Sequence, residues 1–295
     1  MGARVEEFAV AIDVGGTKMA AGIVDATGTI AERRITPTPP GADAEALFSA
    51  LTRIVRELDA SRAVVCGIGC GGPMSEQGRL VSPINIDGWH NFPLGARIAE
   101  LTGLPTFVDN DAKALALAEG SWGAAVGRRH YIAMVVSTGI GGGIVLDGRL
   151  LDGEDGNAGH IGHVIVEPGG RTCGCGAQGC LEAEASGTAL AALTGTTAED
   201  ADLSLRERTG QLVGRGVASV ANLLDLRLAV VAGSVALGFG EPFFRSAQQE
   251  IGRLTHLDFS RGTVIRPAGL GADGPLLGGA AVGWRGLGRP LGMFT

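Results

Sequence analysis

From Phe8 to Thr36 the chain runs apolar strand, glycine turn, apolar strand, turn, strand, and the same plan returns from Tyr131 to Gly153. "FAVAID", "KMAAGIVD" and "TIAERRIT" are parted by Gly-Gly and Ala-Thr-Gly turns; "YIAMVVS", "GGIVLDG" and "RLLDG" repeat them around a second glycine-rich turn. Strand-length apolar runs separated by turn residues make antiparallel meanders. A weak internal repeat of this kind predicts two similar halves. After each meander, strands alternate with helices. Residues 43–59 place Leu47, Leu51, Ile54, Val55 and Leu58 on one helical face, and residues 94–102 read as a further helix. "AVVCGIGCGGPM", "PTFVDND" and "RLAVVAGSVA" read as strands that run into loops or helices. At 295 residues the chain is long enough for two cores. The expected fold is duplicated α/β, two domains around a ligand cleft.

A net charge of -7 and a pI near 5.3 offer no basic footprint for nucleic acid. No apolar run approaches the roughly 18 residues that span a bilayer. The first apolar run holds Asp13 and has no cleavage-site pattern. A cytoplasmic chain is expected, without membrane or nucleic-acid partner.

In "DVGGTK" a carboxylate (Asp13), bare backbone (Gly15 and Gly16), a hydroxyl (Thr17) and an ammonium (Lys18) break an apolar meander. Glycines that expose N–H groups and allow positive φ would make an anion nest. Asp13 would hold Mg²⁺ directly or through water. A Walker A loop has other spacing and leads into a helix. A plain hairpin turn is the alternative, and it leaves the acid and the Thr-Lys pair unexplained. "STGIGGG", with Thr138 and Gly139, is the matching turn of the second half. A dinucleotide fingerprint there would need a helix next, whereas "GGIVLDGRLL" reads as strand. A flexible hairpin stays open for this turn.

Asp111 in "VDNDAKALALAEG" falls where a strand meets a helix. A carboxylate there suits a base that takes the proton of an acceptor hydroxyl, and equally suits a helix N-cap. Lys113 reads as a solvated first-turn residue. Cys173, Cys175 and Cys180, with His163 upstream, form a closed Cys₃His set of the structural zinc type. Cys66 and Cys70 read as small buried hydrophobes.

In this order, Asp-x-Gly-Gly-Thr-Lys, Asn110-Asp111, Ser-Thr-Gly-x-Gly-Gly-Gly, a Gly-His step and the cysteine cluster resemble the ROK sugar kinases. These are bacterial members of the actin-like (hexokinase-like, ribonuclease-H-like) ATPase superfamily, and the likeness spans nearly the whole chain. The resemblance implies a small domain of residues 1–112, joined by a last helix from about 276 to 295. It implies a larger domain of residues 113–275 that carries the zinc loop. Asp111 would be the general base. Gly72, Asn85, Asn110, Asp111, His160, His163 and Glu182 would meet the sugar. Asp13, Gly15, Gly16, Thr17, Lys18, Thr138 and Gly139 would meet the phosphates, with Gly233 and Ser234 on the adenosine side. His163, Cys173, Cys175 and Cys180 would hold Zn²⁺; Mg²⁺ would accompany ATP, and the chain would form a homodimer.

Most of the family carries Glu-x-Gly-His where this chain has His160-Ile161-Gly162-His163. A carboxylate accepts two hydroxyl protons, whereas neutral imidazole offers one donor and one acceptor. The sugar should therefore differ. N-acetylmannosamine kinases carry the same His-Ile-Gly-His. Phosphorylation of the 6-hydroxyl of that sugar is expected, with glucose as the alternative. Trp89 would stack on a sugar or fill the core. ROK repressors add a helix-turn-helix ahead of the first turn, for which the residues before Asp13 leave no room. A silent sugar sensor would be expected to lack Asp111.

Overall fold

The computed structural model describes residues 7–75 and 78–289. In the first half β1 (Phe8–Val14), β2 (Lys18–Asp25) and β3 (Ile30–Pro37) form the expected antiparallel meander. α1 (Ala44–Arg56) follows, capped by the Asp43 side chain, and buries Leu47, Leu51, Ile54 and Val55. Next come β4 (Ala63–Cys70), a small hairpin of β5 (Met74–Ser75) and β6 (Leu80–Val81), α2 (Leu94–Thr102), β7 (Thr106–Asn110) and α3 (Asp111–Trp122). β4 pairs parallel to β1, and β7 parallel to β4, giving the order β3-β2-β1-β4-β7.

The second half repeats this. β8 (Tyr131–Val136), β9 (Ile140–Leu146) and β10 (Arg149–Leu150) are antiparallel, and β11 (Leu228–Ala232) and β12 (Val264–Pro267) add parallel, in the order β10-β9-β8-β11-β12. The weak sequence repeat is a repeat of strand order and direction. The helices of this half are α4 (Leu181–Ala185), α5 (Gly187–Thr194), α6 (Leu203–Leu224), α7 (Ser234–Phe239) and α8 (Glu241–Leu254). Ile132, Met134 and Val136 of β8 share a core with Leu212, Val213 and Val217 of α6.

The last helix, α9 (Gly274–Gly286), lies on the first sheet. A Cβ on Gly279 would sit 2.5 Å from the Ile12 carbonyl, and one on Gly67 of β4 would enter the backbone of α9. Helix and sheet thus meet backbone to backbone. β1 is buried on both faces, which is why it reads as a continuous apolar run.

Two compact units result: residues 1–127 with 152–158 and 270–295, and residues 128–151 with 159–269. The sequence-based division at residue 112 falls inside α3 and leaves all but its first two residues out of the first unit. The structure keeps α3 there, packed on α9, with Gly278 against Ala114. With α3 and the returning segment 152–158, the first unit is the longer of the two rather than the smaller. Residues 290–295 of the expected last helix lie outside the described residues. Among the described residues no helix is long and apolar enough to cross a membrane.

Candidate active site

In the first unit the parallel register sets Asp13 opposite Gly69, and Gly69 opposite Asp109. The carboxyl ends of β1, β4 and β7 therefore align, the edge at which open α/β sheets bind ligands. Asp111 follows at the first position of α3. The cap of this helix is Asn110, whose Oδ1 accepts the N–H groups of Ala112 at 3.0 Å and Lys113 at 3.4 Å. Asp111 is exposed and its Oδ1 also accepts the Ala112 N–H, at 2.8 Å, but the cap position itself belongs to its neighbour. Burial, and behind it the charge of Asp111, push the Asp13 carboxyl up to about 7, against the pull of Lys18. The two carboxylates share one electrostatic neighbourhood, and the buried Cys70 thiol is held well above its usual range by burial and by both acids.

Beside them the first turn closes with the Gly15 N–H donating to the Lys18 carbonyl at 3.0 Å. Gly16, Thr17 and Lys18 are exposed. Neither Gly15 nor Gly16 has the positive φ expected of a nest. Their role is space: a Cβ on Gly15 would lie 3.1 Å from the Lys18 carbonyl oxygen, and one on Gly16 2.7 Å from the Cβ of Asn85, so the turn and the exposed Asn85 are in contact. Gly72 precedes the cis peptide to Pro73 at the end of the β4 loop. Trp89 is fully buried, donates to the Ala44 carbonyl at 3.2 Å and stacks on Phe92 at 4.6 Å. It fills the core and faces no ligand.

In the second unit Glu182, in the first turn of α4, accepts the Ile140 N–H at 2.9 Å. This seats it against Gly139, where a Cβ would be 3.0 Å from Glu182 Oε2. The Thr138 carbonyl accepts the N–H of Thr188 at 3.2 Å and its hydroxyl at 3.0 Å. The hydroxyls of Ser137 and Ser234 meet at 2.9 Å. Gly233 has φ 102°, and a side chain there would run into Val136. The glycines after Gly139 have a further use. Gly159, also at φ 102°, and Gly162 lie directly on the backbones of Gly142 and Ile140, and this contact presents His160. His160 is exposed, and its ring stacks on His163 with centroids 6.0 Å apart.

His163 Nδ1 lies 3.7 Å from Cys173 Sγ, and Cys175 Sγ 3.7 Å from Cys180 Sγ. All four donor atoms lie within 4.8 Å of one another. A tetrahedron with zinc–sulfur bonds of about 2.3 Å sets its sulfurs about 3.8 Å apart, so three thiols and an imidazole at these distances fit such an ion.

Residues 9–284 match the ROK family. The chain belongs to the ROK family. It is 40% identical over 250 residues to the N-acetylmannosamine kinase of Citrobacter koseri, spanning 78% of this chain and 84% of that relative. The ROK hexokinase of Thermus thermophilus superposes with a TM-score of 0.82 at 34% identity, covering 95% of this chain and 99% of that one. A ROK glucokinase from Streptomyces griseus, solved with glucose and AMPPNP, gives 0.81 at 30% identity, covering 94% and 99%. The actin-like fold expected from the motifs is the one these relatives share.

In this ROK chain the first-unit candidates Asp13, Gly16, Lys18, Asn85, Asn110 and Asp111 cluster around the strand ends, whereas Thr138, Gly139, His160, His163 and Glu182 ring the second turn. Two features escaped the sequence reading. Ser137 bridges the second turn to Ser234. Lys113 is no solvated residue: it is buried, with ion-pair partners Asp109 and Asp152. The signal was present in composition, because Lys113 is one of only two lysines.

Proposed function

We propose that the chain is an ATP- and Mg²⁺-dependent kinase acting on the 6-hydroxyl of N-acetylmannosamine. The observation that carries this is the carboxylate pair, Asp13 half-buried at the end of β1 and Asp111 exposed at the start of α3, beside the Gly15–Lys18 turn. In the proposed step the sugar O6 attacks the γ-phosphorus in line, the bond from that phosphorus to the β,γ-bridging oxygen breaks, and ADP leaves. The O6 proton passes to the Asp111 carboxylate. Such a transfer draws on positioning, charge neutralisation and a base rather than on covalent help from the protein.

Thr17, Lys18 and the backbone of Gly15, Gly16, Thr138 and Gly139 would cradle the phosphates, with Gly233 and Ser234 toward the adenosine. Asp13 would hold Mg²⁺, which offsets phosphate charge. Gly72, Asn85, Asn110, His160, His163 and Glu182 would orient the sugar. Glu182 already commits one oxygen to Ile140, which aims the other. His163 turns Nδ1 to the cysteines and keeps Nε2 for a hydroxyl. His163, Cys173, Cys175 and Cys180 would hold a structural Zn²⁺ whose four protein ligands leave no position for water. The N-acetyl sugar is favoured by His160 in place of a glutamate and by the 40% identity to an N-acetylmannosamine kinase. The proposed setting is the cytoplasm, where thiols stay reduced, with the chain as a homodimer.

The test is coupled ADP release with Mg-ATP across glucose, mannose, N-acetylglucosamine and N-acetylmannosamine. Turnover highest with N-acetylmannosamine supports the proposal. Preference for glucose keeps the kinase and moves the substrate to the glucokinase reading, which the likeness to the Streptomyces griseus enzyme favours. No turnover with any sugar, in zinc-replete protein, sinks the kinase.

The raised Asp13 adds a pH prediction. Folded, this carboxyl keeps a proton up to about 7 that the unfolded chain releases near 3.8. The stability from that proton is fully present below pH 3.8 and lost as pH rises through about 7. Affinity for a cation runs the other way, appearing as the proton leaves. kcat/KM for Mg-ATP is therefore expected to fall about tenfold per pH unit on the acid side of neutrality. A flat profile down to pH 5.5 would remove Asp13 from metal binding.

A further inference from the structure

Lys113 is 2% exposed. An ammonium carries three N–H donors, and three acceptors meet this one: Asp109 Oδ1 at 2.8 Å, Asp152 Oδ1 at 3.0 Å and the Gly156 carbonyl at 2.9 Å. Arg285 of α9 closes the ring from the other side, donating from Nη1 to Asp109 Oδ2 at 3.2 Å and from Nη2 to Asp152 Oδ2 at 2.6 Å. Asn157 ties the same segment elsewhere: its Oδ1 accepts the Met74 N–H at 3.3 Å, and its Nδ2 donates to the Met74 carbonyl at 3.1 Å.

Residues 152–158 contain no helix or strand. Side chains from α3 and α9, together with Asn157 on the Met74 backbone, hold this segment in the first unit. At one end of the lock Asp111 stands two residues before Lys113. At the other, His160 stands two residues after Ala158. A buried ion pair is weak support for stability, since an apolar side chain of similar volume often does as well. Three acceptors matched to three donors, two of them on an irregular segment, are a device for fixing position.

We propose that Lys113 is a positioning residue: it locks segment 152–158 to the helix that begins at Asp111, and sugar affinity depends on that lock. The proposal rests on the kinase reading above. With the lock in place segment 152–158, which Gly159 and His160 follow in the chain, is held before the sugar arrives. Without it, sugar binding must also order the segment, and affinity falls.

The test is Lys113→Met, which keeps the aliphatic stem and leaves Arg285 to satisfy both aspartates. Amide hydrogen exchange and the separate KM values for sugar and ATP are read well below the melting temperature. Expected are faster exchange across 152–158 with β8 and β9 unchanged, a sugar KM raised about ten- to a hundredfold, and an ATP KM within about twofold. Unchanged exchange overturns the lock. Faster exchange with an unchanged sugar KM overturns its role in affinity, as does an equal rise in both KM values. If Lys113→Met does not fold, Asp152→Asn, at the half-exposed end of the ring, takes the same measurements. If the wild type turns over no sugar, the kinase reading has failed, and the exchange comparison still decides the lock.

Discussion

Asp111→Asn is expected to lower kcat about 10³-fold, with the sugar KM within about threefold of wild type and the melting temperature unchanged. The fold should tolerate the exchange because the N-cap of α3 is Asn110, which the substitution leaves in place. An amide at this position keeps the size and a hydrogen-bonding oxygen but cannot take a proton. A loss confined to kcat therefore identifies a base, whereas a raised KM with kcat intact would make Asp111 a ligand only. A second readout is independent of the first. The charge of Asp111 helps to hold Asp13 up to about 7, so the acid limb of the residual activity should move to lower pH in the variant.

The other large effect is on folding. Gly67→Val is expected to leave little soluble protein. A Cβ on Gly67 would meet the backbone of Gly279 and Gly283, and Gly279 in turn lies against the backbone of Ile12. No rotamer change relieves a clash of main chain with main chain. α9 would have to lift from the sheet, exposing Leu276, Leu277 and Trp284, all buried in the native fold. Loss of more than about 5 kcal/mol is expected, comparable with the whole margin of a domain. The soluble fraction on expression and the cooperativity of urea unfolding check this. A soluble Gly67→Val that melts at the wild-type temperature would mean that α9 can tilt away without penalty.

The meanders were legible because hairpin pairing is local: each strand of β1 to β3 and β8 to β10 is written within a few residues of its partner. The cysteine cluster was legible for the same reason, with three of its four members inside one loop. α6 went unrecognised, its helical period interrupted by Gly210, Gly214 and Gly216, and so did β12, only four residues long. What the sequence hid most completely is contact between distant segments. Lys113 meets Asp152, 39 residues away, and no local pattern marks an ammonium in an exposed-looking first turn as buried. Gly16 resembles a residue chosen for an unusual backbone, yet the approach of Asn85 is what requires it to be bare. Trp89 resembles a sugar platform until α1 and Phe92 enclose it.

The position of α9 also dictates an order of events at the ribosome. The first sheet emerges early and α3 reaches β4 at Gly69, but the part of that face around Ile12 and Gly67 has no cover until residues 274–286 have been made. The second unit draws its core from residues 132–265 and is fully synthesised before that cover exists. The half that is made first is completed last. Throughout translation it carries a bare glycine-lined face, the kind of surface on which nascent chains associate wrongly and chaperones act.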